Sequence, residues 1–560
     1  MTFNKVVFDI ETTMTADKIW CIVCKHGDTY YQFKEDRLHR FAELIKQTDE
    51  VIGHNIIGFD IPVVNKIFGY DVFENCKVTD TLVLSRLLNP MIDGGHSLKN
   101  WGTKLGQNKI HFEQFDYFSE DMLTYCRNDV ELTERLYKFL MKKTTNFGQS
   151  IELEHRVAQI IQKQHERGFK INVVEAYELQ SKFQEDMNDL TTKVRQTFPP
   201  MKVEEEFIPK SNNKARGYVK GVPFTKVKYK EFNLGSRQQI AERLMLLGWK
   251  PKKKTDKGHV IVDEKVLSEI HNIPEAKLIN RFLMLQKRIA QVNSWIEGIK
   301  EDGRVHGKVI TNGTITGRMS HQSPNMAQIP AVYSPYGKEC RALWTVNKGY
   351  KLVGVDASGL ELRMLAHYMN DERYTHEVVN GDIHTANQTA AGLESRDKAK
   401  TFIYAFIYGA GSKKIGSIIG GSERDGERAK EKFLRATPSL RSLREKVERV
   451  AQRRWVRGLD QRKIIIRYPH AALNTLLQGA GAVVCKLWLI NIVKRVNRTS
   501  VDAKLVASIH DEYQFEVLTK DVNKFGQITK DAMKDTERQL QMKCPLDSEW
   551  KVGKTWAQTH

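Results

Sequence analysis

The amino-terminal quarter of the chain contains carboxylates whose spacing could hold metal ions. Asp9 and Glu11 follow an apolar run that is typical of a buried strand, where they would share one face about 6.6 Å apart. Asp60 follows a later apolar run, and Tyr125 and Asp129 are four residues apart, so they share one face of a predicted helix. Each pattern alone is weak, because strands often end in acidic residues. Together they predict one site.

Four carboxylates of this kind are suited to two divalent ions. Such ions lie about 3.5–4 Å apart, activate a water molecule and stabilise the leaving oxygen when a phosphodiester is cleaved. Hard oxygen ligands favour Mg²⁺ or Mn²⁺ over zinc. A further aspartate, Asp80, precedes a helical pattern, and we predict that it is a helix N-cap rather than a ligand.

These segments resemble the three motifs of DnaQ-like 3′–5′ proofreading exonucleases, which are Asp-x-Glu, Asn-x-x-x-Phe-Asp and Tyr-x-x-x-Asp. The resemblance implies an α/β domain with an RNase H-like fold. Strands that alternate with helices in this part of the chain agree with that layer architecture. The resemblance also implies that Tyr125 orients the attacking water and that the metal ligands are Asp9, Glu11, Asp60 and Asp129.

The carboxyl-terminal half contains a second pair of carboxylates. Asp356 ends a short apolar run and precedes a helical pattern, while Asp511 lies between two strand-like runs. By itself, Asp511 is also compatible with an ordinary turn residue in a His-Asp-Glu sequence. Its interpretation therefore depends on the motifs that surround it.

A helix predicted near residue 400 supports the functional interpretation. Arg396, Lys400, Tyr404 and Tyr408 recur every four residues and follow one slowly spiralling face. Two cations followed by two aromatic rings suit a triphosphate at one end and a stacked base at the other. The polar row needs a functional explanation, because other residues supply the apolar face of this helix, namely Phe402, Ile403, Phe406 and Ile407.

These segments resemble motifs A, B and C of family A (Pol I-like) DNA polymerases, and the match extends over nearly the whole chain. The resemblance implies an α+β right-hand domain made of thumb, palm and fingers. Asp356 and Asp511 would hold two catalytic Mg²⁺ ions, for which Mn²⁺ can substitute, and Glu512 would be an auxiliary acidic residue. One ion would lower the pKa of the primer 3′-hydroxyl, and the other would bind the triphosphate and the leaving pyrophosphate.

The same resemblance implies a dNTP site on and beside the helix near residue 400. Lys400, Arg396 and His384 would bind the phosphates, with Lys400 in a catalytic role. Glu361 would be a steric gate against a ribose 2′-hydroxyl, and Tyr404 implies tolerance of dideoxynucleotides, because its hydroxyl can replace the missing contact. Template or primer contacts are implied for Tyr408, Arg318, Gln328, Asn474, Gln478 and His510.

Pattern and resemblance together predict an α/β exonuclease domain followed by the polymerase domain. Helical periodicity replaces the mixed pattern near residue 148, which favours a domain boundary there. The predicted segments are an exonuclease domain at 1–145, a thumb and connecting region at 146–300, a first part of the palm at 301–395, fingers at 396–467 and a second part of the palm at 468–560.

The charge of the chain points to a polyanionic partner. The 560 residues include 88 Lys and Arg against 68 Asp and Glu, a formal net charge of +20, and nucleic acid is the leading candidate. Residues 199–260 are basic and lack apolar periodicity, which is typical either of a solvated loop or of a phosphate-contacting surface. The composition excludes disordered and disulfide-scaffold classes, and we expect no apolar run long enough to cross a membrane.

Location and partners follow from smaller signals. Seven cysteines without a pairing pattern indicate a reducing compartment, and Cys21 and Cys24 are interpreted as core residues. The amino terminus has no signal-peptide pattern, so we predict a cytoplasmic protein, in the host cell if the protein is viral. Primer–template DNA and dNTPs are the expected partners, with no membrane; a helicase or single-strand-binding partner stays open.

Within the family, the chain resembles the replicative polymerases of T-odd podophages. Those enzymes carry a large thumb insertion that recruits host thioredoxin, whereas the corresponding stretch here, about 199–233, is short and basic. We therefore expect no thioredoxin clamp. Other possibilities are a nuclease with a degenerate polymerase body, which would require losses in motifs A to C that the sequence does not show, and a DNA-binding or clamp protein without catalysis. A single-subunit RNA polymerase is a further possibility, against which Glu361 and the exonuclease motifs argue.

Overall fold

The computed structural model describes residues 3–560, in which strands and helices alternate along most of the chain. The strands are β1 Phe3–Thr12, β2 Ile19–His26, β3 Thr29–Lys34, β4 Thr48–Gly53, β5 Lys77–Asp80, β6 Phe169–Ile171, β7 Met201–Phe207, β8 Phe224–Lys230, β9 Arg304–Val305, β10 Lys308–Ile310, β11 Ser320–Gln322, β12 Trp344–Thr345, β13 Tyr350–Ala357, β14 Trp455–Arg457, β15 Lys463–Ile465, β16 Ala503–Ile509, β17 Glu512–Leu518 and β18 Ser548–Gly553.

More residues of the described chain lie in helices than in strands. They are α1 Leu38–Ile45, α2 Asp60–Phe68, α3 Thr81–Leu88, α4 Leu98–Leu105, α5 Glu120–Lys143, α6 Gln149–Arg167, α7 Val173–Thr197, α8 Arg237–Leu246, α9 Glu264–Ser268, α10 Pro274–Glu297, α11 Gly337–Ala342, α12 Leu360–Met369, α13 Glu372–Val379, α14 Ile383–Ala391, α15 Arg396–Ile407, α16 Ser412–Ile419, α17 Glu423–Ala436, α18 Pro438–Ala451, α19 Ala472–Val496 and α20 Val522–Gln539.

The strand β1 is the centre of a five-stranded mixed sheet with the order β3-β2-β1-β4-β5. It runs antiparallel to β2 and parallel to β4. Val6 and Phe8 belong to the apolar layer on one face, whereas Val7 packs on the other face with Met122 and Cys126 of α5. A central strand that is covered on both faces reads as a continuous apolar run. The predicted α/β layering of this region is therefore present.

Cys21 and Cys24 lie in the core of the fold, as predicted. Cys21 and Cys24 are fully buried on β2, and their side chains belong to the apolar layers on opposite faces of the sheet. All seven cysteines are free. Two cysteines on opposite faces of one strand cannot chelate one ion together, so the core interpretation is confirmed.

A four-stranded antiparallel sheet, ordered β16-β17-β13-β18, contains the second pair of carboxylates. Its register places Asp356 of β13 opposite Glu512 of β17. His510 and Asp511 form the turn between β16 and β17, and His510 has a left-handed backbone with φ 58°. The apolar run before Asp356 forms β13, and the two strand-like runs on either side of Asp511 form β16 and β17.

The apolar helix α19 differs from the expectation that the chain has no apolar run long enough to cross a membrane. The stretch Pro469–Val496 is long and apolar enough to cross a membrane by length and composition, although we expected no such run. Within the protein, 83% of its apolar window is buried. Trp488 and Leu489 are fully buried, and α19 packs against α6, α12 and α20. A helix that is apolar all round is the core helix of a large domain when other helices surround it.

Four successive helices, α15 to α18, form a cluster around a phenylalanine core. The Ser395 side chain caps α15 by accepting a hydrogen bond from the backbone N–H of Lys398. The rings of Phe402 and Phe406 each lie 5.4 Å from that of Phe433 of α17. The apolar face that the sequence predicts for this helix is buried, and the predicted row of polar residues lies on the remaining face.

A second compact unit consists of Ile171–Val305 and Ile329–Trp344, and the rest of the described chain forms the first. Inside this second unit α7 and α10 pack along each other, and α8 buries Ile240 and Leu244 in the same core. The stretch 199–260, for which the sequence suggested a loop, thus contains a helix and the hairpin of β7 and β8. The hairpin escaped prediction because most of its side chains are exposed on both faces, which removes the alternation that marks a strand.

Candidate active sites

The structure brings the amino-terminal carboxylates together at one end of the five-stranded sheet. Asp9 and Glu11 lie near the end of β1, Asp60 is the first residue of α2, and Asp129 lies on α5, which covers the sheet. Glu11, Asp60 and Asp129 are each at most 6% exposed. Possible ligand atoms of Asp9, Glu11 and Cys126 lie within 4.8 Å of one another. Residues from three separate segments therefore face one small volume.

Burial and mutual electrostatic repulsion raise the pKa values of these carboxyl groups. Burial, followed by repulsion from Asp60, Glu11 and Asp129, raises the pKa of Asp9 well above its usual range. Burial likewise raises the pKa of Glu11 to about 9 and that of Asp60 to about 7. Oδ1 of Asp129 is buried and, among the described residues, has no hydrogen-bond partner. Crowded carboxylates with an unpaired oxygen fit a hard divalent cation.

Lys109 is a site residue that the sequence analysis missed. Its Nζ lies 2.5 Å from Oδ2 of Asp129 and 4.7 Å from the centre of the Tyr125 ring. Tyr125 is also stacked on Phe112, with 5.3 Å between ring centres. The residues next to Lys109 in the sequence form no recognisable motif. Only the tertiary structure therefore reveals that Lys109 offsets part of the negative charge of the cluster.

Asp80 supports the loop that leads to Asp60. Its carboxylate accepts a hydrogen bond from the backbone N–H of Leu82, so the predicted N-cap of α3 is confirmed. The same carboxylate accepts the N–H groups of Asn55 at 2.8 Å and Ile57 at 3.0 Å. Asn55 has a left-handed backbone, with φ 64°. These bonds hold the loop in the conformation that places Asp60 at the start of α2.

The second acidic centre lies where β13 meets the β16–β17 turn. Asp356 is the penultimate residue of β13, and the backbone N–H of Ala357 donates a hydrogen bond of 3.2 Å to the carbonyl of Asp511. Burial raises the pKa of Asp356 to about 7, with repulsion from Asp511 and Glu512 as the next causes. The two aspartates that the sequence selected 155 positions apart thus share one site.

Both carboxylate oxygens of Glu512 have hydrogen-bonding partners within the protein. Its Oε1 accepts hydrogen bonds from Gln514 at 2.5 Å and from the indole of Trp556 at 2.7 Å. Its Oε2 lies 2.6 Å from Nδ1 of His560. Burial opposes ionisation, yet these bonds outweigh it and lower the pKa of Glu512. The residue stays charged beside Asp356 and also anchors the segment that follows β18.

The polar face of α15 is accessible, as a phosphate-binding face must be. Arg396 and Lys400 are exposed, and Tyr404 is half-buried. Arg396 Nε donates a 2.7 Å hydrogen bond to Asp382, which also accepts the backbone N–H of His384. The sequence analysis did not single out Asp382. It holds two of the predicted phosphate ligands next to each other.

Glu361 connects residues that were predicted separately. Tyr408 donates its hydroxyl to both carboxylate oxygens of Glu361, at 2.8 and 2.9 Å, and Arg318 Nη2 lies 3.3 Å from Oε1. Glu361 lies in the first turn of α12, directly after the strand that carries Asp356. The predicted steric gate is therefore fixed from two sides.

The other predicted DNA contacts are spread around this centre. Arg318, His510 and Asp511 line one small cavity. Asn474 and Gln478 are one turn apart on α19 and are joined by a 3.0 Å hydrogen bond. Gln328 is exposed at the end of the short 3₁₀ turn that follows β11.

Comparisons with known proteins define the class of this protein. The model of DNA polymerase family A matches residues 214–558, so the chain belongs to that family and is a DNA-directed DNA polymerase, as the motifs predicted. Enzymes of this family depend on divalent metal ions.

Relatives in two phages extend over almost the whole chain. The DNA-directed DNA polymerase of Enterobacteria phage T3 is 33% identical, with 99% of this chain and 100% of the relative covered. That of Escherichia phage T7 is 34% identical over 91% of this chain and 92% of its own length. The T3 alignment has 709 positions, more than the 560 residues here, so the relative has segments that this chain lacks. These relatives support a role in phage DNA replication.

A solved structure confirms the fold over the same extent. The polymerase domain of Pol1 from M. smegmatis, in complex with DNA primer-template and dNTP, has a TM-score of 0.81 and covers 99% of this chain. This chain in turn covers 95% of that one, at 17% sequence identity. At that identity the likeness concerns the fold.

Proposed function

We propose that this DNA polymerase extends a primer at one acidic centre and excises nucleotides from the primer 3′-end at the other. The observation that carries the proposal is the presence of two separate carboxylate clusters, each at the end of a central strand. The first would be the active site of an RNase H-like exonuclease domain at 1–145, and the second that of a palm at 301–395 and 468–560. The thumb and connecting region at 146–300 and the fingers at 396–467 complete the proposed layout.

For polymerisation, Asp356 and Asp511 would hold two Mg²⁺ ions, or Mn²⁺ in their place. When bound, these ions supply activation of the 3′-hydroxyl and stabilisation of the leaving pyrophosphate. Arg396, Lys400 and His384 would bind the phosphates of the incoming nucleotide. Their open face supports this role, because a charged ligand must reach them without displacing core side chains.

For excision, the metal ligands would be the four carboxylates of the amino-terminal site. When bound, the metal ions supply an activated water. Tyr125 would orient that water with its hydroxyl, and the Phe112 ring would hold the Tyr125 ring in place. Lys109 would orient Asp129 and favour its ionised form against the effect of burial, because its ammonium lies 2.5 Å from the carboxylate.

The proposed partners are primer–template DNA and dNTPs, which accompany the Pol1 domain of similar fold. Tyr408, Arg318, Gln328, Asn474, Gln478 and His510 would contact the template or the primer. The enzyme would act in the host cytoplasm without a membrane. It would need no thioredoxin, because the stretch at about 199–233 holds only a small basic hairpin.

The test uses the purified protein with a 5′-labelled primer on a longer template. With Mg²⁺ and dNTPs we expect the primer to lengthen; with Mg²⁺ alone we expect it to shorten from its 3′-end. Chelation of the metal should stop both reactions. A protein that lengthens the primer but never shortens it contradicts the exonuclease proposal. Shortening alone would favour a nuclease with a degenerate polymerase body.

Glu361→Ala should weaken the discrimination between deoxyribo- and ribonucleotides. The change removes the side chain that would block a 2′-hydroxyl, together with the acceptor for Tyr408 and Arg318. We expect the rNTP-to-dNTP ratio of kcat/KM to rise by about 10- to 100-fold, the range for discrimination by one group. Glu372→Ala, an exposed glutamate on α13, is the matched control. An unchanged ratio in Glu361→Ala excludes the gate.

A further inference from the structure

Helix α6 carries two adjacent polar residues that are buried and bind different parts of the chain. Glu154 is 0% exposed and His155 is 6% exposed. The helix packs against α3 beside the amino-terminal sheet and against α19 beside the palm. Buried polar groups are costly unless they are satisfied. The hydrogen-bond and ion-pair partners of Glu154 and His155 therefore indicate the role of each side chain.

Glu154 is the centre of a buried, charge-balanced cluster. Its Oε1 accepts a hydrogen bond from Lys486 Nζ at 2.6 Å and forms an ion pair with Arg462 Nη2 at 2.7 Å. Arg462 is also paired with Asp460, with Nε 2.8 Å from Oδ2. The four residues are each at most 4% exposed. Two anions and two cations thus join α6, the β14–β15 hairpin and α19.

The cluster extends to the polymerase centre through Arg462. A Cβ atom added to Gly317 would lie 2.7 Å from Arg462 Nη1, so the guanidinium lies directly against the Gly317 backbone. Gly317 has φ 75°, which favours glycine. The next residue, Arg318, contacts Glu361 and lines the cavity that contains Asp511. The guanidinium that pairs with Glu154 thus lies against the residue that precedes Arg318.

His155 is connected through Asp80 to the loop that precedes Asp60 of the amino-terminal centre. Its Nδ1 lies 2.7 Å from the carbonyl of Ile151, which can only accept, so Nδ1 carries the proton. Nε2 is then an acceptor, and the backbone N–H of Asp80 donates to it at 2.8 Å. Asp80 in turn holds the N–H groups of Asn55 and Ile57, in the loop before the first residue of α2.

We propose that α6 positions both reaction centres, Glu154 acting on Arg318 and His155 acting on the loop before Asp60. Neither Glu154 nor His155 would touch substrate, so both are positioning residues. The His155 half rests on the proposed exonuclease function, whereas the Glu154 half concerns the polymerase. One rigid helix would thus set the geometry of two centres that must act on the same primer end.

Two substitutions at His155 test the exonuclease half in the full-length protein. His155→Leu removes the acceptor for the Asp80 N–H, whereas His155→Gln retains one, because its Oε1 can take the place of Nε2. We expect His155→Leu to lower kcat for excision about tenfold with KM for DNA unchanged, since a displacement of about 1 Å can cost about 100-fold. His155→Gln should restore most of the rate, and primer extension should remain at the wild-type rate in both.

Glu154→Gln is expected to show the opposite selectivity. It retains an acceptor but leaves the buried cluster with an uncompensated positive charge. Primer extension should fall about tenfold, while excision stays near the wild-type rate, because small displacements at a reacting centre are costly. If Glu154→Gln does not fold, Glu154→Asp keeps the charge on a shorter side chain and should lower extension more than excision.

Thermal unfolding of each variant shows whether it is folded. The proposal is overturned if His155→Leu excises at the wild-type rate, or if each variant loses both activities by the same factor. A wild-type protein that excises nothing contradicts the exonuclease function itself. In that case the Glu154 variants still decide the polymerase half by primer extension alone.

Discussion

Primer extension is expected to disappear in Asp356→Ala while 3′-excision continues. Asp356 lies in the acidic centre of the antiparallel sheet, and the proposed metal ions would lose one of their two aspartate ligands. The loss should exceed the roughly 100-fold that removing an outer-shell partner of a metal site costs. Single-turnover extension of a labelled primer measures it, and excision by the same preparation is the internal control. Asp511→Ala should have the same effect.

Stability should not explain the loss in Asp356→Ala. Burial and the neighbouring carboxylates raise the pKa of Asp356 to about 7, above the ordinary value for an aspartate. A raised carboxyl pKa means that the ionised group destabilises the fold at a pH above its folded-state pKa. Removing it should therefore keep or raise the melting temperature at pH 8. Glu549→Ala, opposite Asp356 on β18, is the matched control and should extend primers normally.

Asp9→Ala should show the reverse selectivity, losing excision and keeping extension. Asp9 lies at the centre of the amino-terminal cluster, where Glu11, Asp60 and Asp129 repel it. Loss of this ligand should lower excision by more than about 100-fold, on the same comparison with outer-shell partners. Digestion of a single-stranded labelled oligonucleotide with Mg²⁺ measures the effect, and extension with dNTPs confirms an intact polymerase.

A surface carboxylate provides the control for Asp9→Ala. Asp36 is exposed and lies outside the acidic cluster, so Asp36→Ala should excise at the wild-type rate. The Asp9→Ala variant should also be at least as stable as the wild type at neutral pH, because one of four repelling carboxylates is gone. Excision that persists in Asp9→Ala would mean that the amino-terminal cluster is not the excision site.

Some features of this protein can be predicted from short stretches of sequence. Arg396, Lys400 and Tyr404 lie on one face of α15 and Tyr408 is its C-cap residue, because helical periodicity is a local property. Asp80 caps a helix for the same reason. Where local pattern is ambiguous, prediction was wrong: the apolar run of α19 is buried core, and the stretch 199–260 contains a hairpin and a helix.

Other features could not be predicted, because they depend on pairs that are distant in sequence. Lys109 beside Asp129, Asp382 between two phosphate-binding candidates, and the full hydrogen-bonding of Glu512 have no local motif. Each depends on where another segment lies. The charge of a residue can be read from its type, but its partner cannot.

By itself, the sequence determined the two acidic motifs, the basic charge of +20 and the family to which the chain belongs, because spacing and composition are local or additive. Only the tertiary structure decided which carboxylates share a site and which charges are compensated. Glu154 and Lys486 are 332 positions apart yet 2.6 Å from each other. Electrostatic and hydrogen-bond energies depend on distance in space, and the fold sets that distance.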